Sequence, residues 1–425
     1  MWQCLSIRHT IHFFIFDFDG RSKIMKRTKQ IMVIVFCLLL FGGAIATMLL
    51  PDKENSVMEN RELAQKPGFS VKNFLKGNYQ KKYETYLSDQ FFLRDQWVNL
   101  SSGMQYFSGK KEINNVYLGK EGYLLEKNTE EDFDKEQIKE NIAFLSSFLN
   151  DTEEFYGKEH VSCIMIPSKA EALSNRLPAF AKATDQSEVL EALKSKLSYS
   201  DMLLDVKEIL QKHQKEYIYY RTDHHWTTLG AYYAFQEWAE KTGQAKAYPL
   251  KDYQREIAFE DFYGTTYNRV HVPVKADSVE LFHSPDEKEV YINMDDGEQE
   301  ADSFYFRDEA LEGFNRYNVF FSKNTFKIEV NTEAKRKKTL LLVKDSFANC
   351  FVPFLTEDYD RVIMIDYRYG KVSAGNILSD YEDITDVLVM FNTEKFMQNT
   401  KLAKLADTER RESTMEEFNI DDFLD

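Results

Sequence analysis

Thr339-Leu340-Leu341-Leu342-Val343-Lys344-Asp345-Ser346-Phe347 is an apolar run that stops on an acid and a hydroxyl. Leu340 to Val343 are hydrophobic without a break, as a strand buried on both faces of a parallel sheet must be. A basic stretch from Lys335 to Lys338 precedes it and reads as a solvated turn. After Ser346, the apolar residues Phe347, Cys350, Phe351 and Phe354 follow at the spacing of a short helix. Ser346 is thus expected on a strand-to-helix turn, the position that exposes a side chain above a sheet.

Similar runs recur on both sides. Strands are expected at Val161 to Ile166, Met202 to Val206, Ile218 to Tyr220, Arg361 to Ile365 and Val387 to Phe391, and helices at Lys135 to Leu149, Glu188 to Leu197 and Lys207 to Lys215. Alternating strands and helices predict an α/β fold, a parallel sheet flanked by helices. Val116-Tyr117-Leu118 and Tyr123-Leu124-Leu125, around the turn Gly119 to Gly122, read as a hairpin. Residues from about 250 to 333 form a strand-rich insertion, and residues 51 to 115 a polar helical arm in which Tyr79, Tyr83, Tyr86 and Leu87 share a face. The α/β domain is taken as residues 116 to 425.

The second informative stretch is Arg221-Thr222-Asp223-His224-His225-Trp226-Thr227-Thr228. With Ser346 it supplies an acid, an imidazole and a hydroxyl, the parts of a hydroxyl-nucleophile site. A helix is expected from Thr227, a hydroxyl N-cap, to about Thr242, with Gly243 as its stop. If Ile218 to Tyr220 and Thr339 to Val343 are parallel members of one sheet, both motifs emerge at its carboxyl edge, where ligands of open α/β sheets bind. Along an extended backbone, Asp223 and His225 share one side and His224 points elsewhere. An oxyanion needs preorganised N–H donors. The backbone N–H of Ser346 or Phe347 is the natural one, with Gly264 and Asn392 as lesser candidates. Trp226, and Tyr367 and Arg368 just after a strand, are further candidates for lining the same edge.

At these residues the chain resembles a known family. Asp223-His224-His225-Trp226 followed by Lys344-Asp345-Ser346-Phe347 is similar to the DHHW proteins, relatives of the alginate O-acetyltransferases in the SGNH hydrolase-like group. Glu59-Asn60-Arg61-Glu62-Leu63, Tyr86 to Asp95, Leu118 to Leu124 and Ile365-Asp366-Tyr367-Arg368-Tyr369 are similar to family segments too. The likeness runs from about residue 55 to residue 400. It implies an SGNH hydrolase-like fold in which Asp223 orients His225 and Ser346 is the nucleophile. Lys344 stands where many SGNH enzymes have glycine, which bears on the shape of the loop.

The rest of the composition narrows the setting. With 33 Phe and 24 Tyr the chain has ample material for a core, and a net charge of −16 argues against a nucleic-acid partner. Ile31 to Leu50 is uncharged and apolar, long enough at about 20 residues to cross a bilayer. Lys23, Lys26, Arg27 and Lys29 precede it and Asp52 and Glu54 follow, so residues 1 to 30 are expected in the cytoplasm and the remainder outside. The rival reading is a cleaved signal peptide, with Ala44-Ile45-Ala46 as the cleavage site. Met25 is an alternative translation start. Cys163 and Cys350 read as small buried hydrophobes rather than a disulfide. No Cys-x-x-Cys pattern suggests zinc, and no cofactor or metal is expected.

The resemblance therefore implies an extracytoplasmic, membrane-anchored O-acetyltransferase or acetylesterase. Its partners would be a cell-surface polysaccharide and, as acyl donor, a multi-span membrane acyltransferase. Two alternatives stand beside it. One is a non-catalytic glycan-binding or assembly protein on the same fold. The other is a metal-dependent phosphoesterase, because Asp-His-His also occurs in manganese phosphoesterases. Those enzymes use an earlier Asp-x-Asp in a strand, and Asp17-x-Asp19 lies across the apolar segment from Asp223.

Overall fold

A computed structural model describes residues 27–405 except 57–60, 298, 314, 371–376 and 379. Met25, Asp17, Asp19, Glu59 and Asn60 lie outside the described residues. The chain divides into two units, residues 1–101 and 102–425.

The first unit begins with an apolar helix of 23 residues, Arg27–Leu49, containing a π turn at Leu38–Gly42. A short antiparallel pair follows, β1 (Asn55–Ser56) with β2 (Arg61–Glu62). The helices Val71–Leu75 and Asn78–Asp89 come next, and a third begins at Arg94.

The second unit opens on a three-stranded meander, β3 (Glu112–Ile113), β4 (Val116–Leu118) and β5 (Leu124–Glu126). The helix Lys135–Tyr156 leads into β6 (Val161–Ile166), and helices Lys169–Ala172 and Ser187–Ser195 lead to β7 (Leu203–Asp205). The helix Thr228–Thr242 follows, with the Thr227 hydroxyl accepting from the Gly230 N–H and Gly243 in the left-handed conformation at its end. Next come a two-stranded antiparallel ladder, β8 (Gln254–Phe262) with β9 (Asp277–His283), and then β10 (Val290–Met294), β11 (Gln299–Ala301) and β12 (Lys327–Thr332). The chain returns through β13 (Thr339–Lys344), β14 (Arg361–Ile365) and β15 (Asp386–Asn392).

The main sheet has the order β11-β10-β12-β14-β13-β15-β6-β7. β14, β13, β15, β6 and β7 are mutually parallel, and β12, β10 and β11 extend the sheet antiparallel. Every residue of β6, β13 and β15 is buried, because helices cover both faces. Leu340, Leu342, Leu388 and Met390 pack with Phe235 and Trp238 on one face. Leu341, Val343, Val387 and Val389 pack with Ile138, Leu145 and Leu193 on the other. This period-2 division is what makes an all-apolar run diagnostic of a central parallel strand.

Two features differ from the sequence expectation. Part of the stretch expected as an insertion, β10 to β12, belongs to the sheet itself. Ile218 to Tyr220 is not a sheet strand. It folds back on the histidine motif through a Tyr219–Trp226 bridge, with Tyr220 N–H bonded to His225 O and Thr227 N–H to Ile218 O. The Asp223 carboxylate accepts the His225 N–H, which closes a tight loop instead.

The chain leaves β6 toward β7 on one side and leaves β13 toward β14 on the other, with β15 between. The connections part at this point, which opens a crevice outside the carboxyl ends of the strands.

Candidate active site

Ser346 stands at that crevice because β13 ends on Lys344. Asp345 N-caps the turn Ser346–Cys350, its Oδ1 accepting the Phe347 N–H at 2.9 Å. Asp345 Oδ2 accepts the Asn392 N–H at 2.8 Å, which ties the end of β13 to the end of β15. Burial raises the Asp345 carboxyl, against the pull of Arg368 and of these N–H donors. Lys344 is buried beside the turn, with its ammonium 2.7 Å from Asn349 Oδ1 and 3.2 Å from Asn324 Oδ1. Burial pulls that ammonium down to about 8.

The histidine motif meets this turn from the helix side. His225 Nε2 lies 2.7 Å from Ser346 Oγ, and His225 Nδ1 lies 2.6 Å from Asp223 Oδ1. Asp223 is fully buried. Its Oδ2 accepts from Thr265 N–H at 2.8 Å and from the Thr265 hydroxyl at 3.0 Å. Burial alone would raise this carboxyl, but His225 beside it and the hydrogen bonds from His225 hold it well below the usual range. The acid is therefore ionised and fixed at both oxygens, which suits an orienter of imidazole.

The imidazole is held on its faces as well. Tyr317 stacks on it at 4.0 Å and 8°, and the Tyr317 hydroxyl donates to Ser346 O at 3.0 Å. His224 covers the other side at 3.9 Å and 36°, with Phe347 at 4.8 Å. His224 does not point away, as alternation along an extended backbone would require. Asp223 Oδ1 captures the His225 N–H at 3.0 Å, the loop closes, and the two rings come together. His224 Nδ1 is 2.8 Å from the Thr265 hydroxyl. Burial and then repulsion from His225 lower its pKa to about 3, so it is neutral under ordinary conditions.

The loop that carries these residues is supported from beneath. Lys169 Nζ donates to the carbonyls of Asp223 (2.6 Å), Tyr220 (3.1 Å) and Arg221 (3.3 Å). Asp277 accepts from Arg221 N–H, Thr222 N–H, the Thr222 hydroxyl and Tyr217.

The remaining sequence candidates are placed as follows. Trp226 is fully buried, and its Nε1 donates to Phe347 O at 2.9 Å, which pins the two motifs together. The Phe347 N–H is spent on Asp345, whereas no acceptor exists for the Ser346 N–H among the described residues. Gly264 packs on Asp223, where a Cβ would stand 2.2 Å from the Asp223 Cβ, and its N–H donates to the Thr222 hydroxyl. The Asn392 amide donates to the carbonyls of Ile166 and Pro167. Tyr367 is buried, with its hydroxyl taken by Asn399, and Arg368 is paired to Asp366. Cys163 and Cys350 are both free and buried.

Lys169, Thr265, Asp277 and Tyr317 were missed from sequence. Only Thr265, adjoining Gly264, lay near a residue the sequence singled out. The crevice beside His224 and Phe347 is lined by Glu126, Lys169, Asn392, Glu394 and Lys395, and encloses about 10 Å³, roughly one water.

Asp223, His224 and His225 each offer a metal-ligand atom, all within 4.8 Å of one another. Both nitrogens of His225 already face partners, so a metal there would have to displace Asp223 or Ser346.

Among solved structures, a DHHW family protein from Eubacterium siraeum is 23% identical with TM-score 0.55, covering 69% of this chain and 95% of that one. Bacillus cereus PatB1 with a sulfonyl adduct is 22% identical with TM-score 0.56, covering 69% of this chain and all of its own (100%). Both share the fold described above. No curated protein sequence matches the chain. Residues 133–365, more than half of the length, match the family described as DHHW protein, and the chain belongs to that family.

Proposed function

We propose that this protein is an extracytoplasmic, membrane-anchored O-acetyltransferase, or acetylesterase, that modifies hydroxyls of a cell-surface polysaccharide through an acyl-enzyme on Ser346. The observation that carries the proposal is the unbroken hydrogen-bonded chain Asp223–His225–Ser346 at the switch point of an SGNH hydrolase-like sheet. Ser346 Oγ attacks the ester carbonyl while its proton passes to His225 Nε2. Asp223 keeps the Nδ1 proton in place and balances the imidazolium. The tetrahedral oxyanion is met by the Ser346 N–H, the donor left free at the turn. Collapse breaks the ester C–O bond, and His225 returns the proton to the departing alcohol. A second hydroxyl, from sugar or water, then gives its proton to His225 and attacks the acyl carbonyl; the Ser346 ester bond breaks, and His225 returns the proton to Ser346 Oγ.

Support for the setting comes from the apolar helix Arg27–Leu49, basic before and acidic after. The acetyl donor we propose is a multi-span membrane acyltransferase. The full chain in detergent should release acetate or p-nitrophenol from acetyl esters, and should transfer acetyl to a polysaccharide acceptor in preference to water if the acceptor excludes water from the crevice. A sulfonyl fluoride should label Ser346. If Ser346→Ala is labelled and active like the wild type, the proposal fails.

A second reading rests on the clustered Asp223, His224 and His225 ligand atoms. Phosphoesterase activity that chelation removes and manganese restores would favour it.

A further inference from the structure

The unit that carries the apolar helix also carries an exposed basic and aromatic face. From Lys66 to Lys82 the chain holds Lys66, Lys72, Lys76, Lys81 and Lys82 and no acid, although the protein as a whole has a net charge of −16. Phe69, Val71, Phe74 and Leu75 in the same stretch are exposed, Leu75 by 79%. The rings of Phe69, Phe74 and Tyr79 cluster at 5.3 to 6.4 Å from one another, and Tyr83 and Tyr86 continue from Tyr79 at 5.8 and 5.7 Å. A soluble surface gains nothing from such a face, whereas a lysine-rich amphipathic segment is suited to a lipid boundary.

What covers this face is indicated by where its far end sits. The Phe92 N–H donates to the Thr47 hydroxyl at 2.9 Å, and the Phe91 ring lies 3.4 Å from where a Cβ on Gly43 would be. Tyr86 bonds Asp52 at 2.9 Å, and Gln90 bonds the Lys53 carbonyl at 2.9 Å. The arm is thus seated beside the last turns of the apolar helix. Gly43 is about 9 Å below Leu49 along the axis, at 1.5 Å per residue. Whatever surrounds the end of that helix also surrounds Phe91, Leu93 and Trp97, all exposed. Tryptophan is enriched at this depth of a bilayer, its ring in the acyl boundary and its N–H toward polar groups.

We infer that residues 66–100 dock on the outer leaflet of an anionic bilayer. Phe69, Phe74, Leu75, Leu93 and Trp97 enter the headgroup–acyl boundary, and the lysines meet lipid phosphates. This rests on the reading of Arg27–Leu49 as a membrane anchor, and it does not depend on the chemistry at Ser346.

The test uses the full chain in nanodiscs of phosphatidylcholine with and without phosphatidylglycerol, with acyl chains brominated near the headgroup. The Trp97 emission, obtained by subtracting a Trp97→Phe variant, should be quenched in the anionic discs. It should be quenched less when Lys72, Lys76, Lys81 and Lys82 are all changed to Glu, and the gap should narrow as salt is added. A chain that fails to enter nanodiscs overturns the anchor and the docking together. A chain that enters but keeps Trp97 unquenched overturns the docking alone. Quenching unaffected by the four substitutions overturns the anionic lipid as partner. An unquenched Trp97 that responds to an anionic polysaccharide instead assigns the face to the polymer and overturns the proposal.

Discussion

The parallel strands and the long excursion between Gly243 and Thr339 contribute differently to one crevice. β13 delivers Ser346, and the loop before the Thr228–Thr242 helix delivers Asp223 and His225. The excursion contributes none of the groups proposed to react. It contributes Thr265 on the Asp223 carboxylate, Asp277 under the Thr222 backbone, and Tyr317 on both the His225 ring and the Ser346 carbonyl. On the proposed mechanism, the comparison teaches that chemistry and preorganisation come from separate stretches of chain. Groups that react should fail outright when removed, and groups that hold them should fail by degrees.

The largest effect should come from the reacting groups. His225→Ala and Ser346→Ala should each lower ester turnover by about 10⁴-fold or more, the range seen when a nucleophile or its base is lost. A chelator should leave the wild type unchanged. Acetyl-ester kinetics on the three proteins check this, and a chelator-sensitive wild type would break the assignment of roles to the parallel half.

Next is the contact where the excursion touches the acid. Gly264→Ala places a Cβ 2.2 Å from that of Asp223 and 2.4 Å from its Oδ2, inside van der Waals contact, and neither group has room to retreat. Either Asp223 or the segment at Gly264 must shift, and both hold the carboxylate against His225. Turnover should fall by about 10³-fold, near 4 kcal/mol, approaching the loss of an orienting carboxylate. Full activity in this variant would mean that the excursion does not hold the acid.

The same division explains what could be read from sequence. The strands β6, β13 and β14 were legible because burial on both faces demands an unbroken apolar run, and no other element of that length does. Asp223, His225 and Ser346 stood out because their residue types and a resemblance pointed the same way. β10 was not legible as a sheet member: its residues alternate between buried and exposed, a pattern that any two-stranded ladder shares. Tyr317 lies in a single helical turn with no periodicity to mark it. His224 was misplaced because one side-chain hydrogen bond, from Asp223 to the His225 N–H, overrode the extended backbone that alternation assumes.

A stability effect of intermediate size belongs to the parallel side. Glu394, just past β15, is buried, and burial followed by repulsion from Glu126 raises its pKa from 4.5 to about 7. Below pH 4.5 it is protonated in both the folded and unfolded chain. Between 4.5 and about 7 the folded chain holds a proton that the unfolded chain has released, so stability present at low pH is lost as pH rises. The loss amounts to about 3 kcal/mol at 1.36 kcal/mol per unit. Denaturant unfolding at pH 5 and pH 8 should therefore show a steeper decline for the wild type than for Glu394→Gln. Equal declines would show that this carboxyl is not shifted.

The smallest effects should come from the two flanks of the imidazole, and they separate holding from mere packing. Tyr317 offers an aromatic face to the imidazolium that forms when His225 takes the Ser346 proton, a contact worth about 0.5–2 kcal/mol. It also fixes Ser346 O by a hydrogen bond worth about 1 kcal/mol. Tyr317→Leu removes both and should cost about tenfold in kcat, or 1.4 kcal/mol, with little change in KM. Tyr317→Phe keeps the ring and should retain most of the rate. His224 is neutral, with its pKa lowered to about 3, so it brings no charge to the imidazolium. It contributes one side-chain bond to Thr265 and a packed face. His224→Ala should then cost about threefold, roughly the value of one modest hydrogen bond. The kcat of these three variants at saturating ester decides the matter. If His224→Ala is dead while His225→Ala turns over, the base is the other histidine. If Tyr317→Phe is as impaired as Tyr317→Leu, the hydroxyl rather than the ring does the holding, and the excursion acts on the serine turn instead of the imidazole.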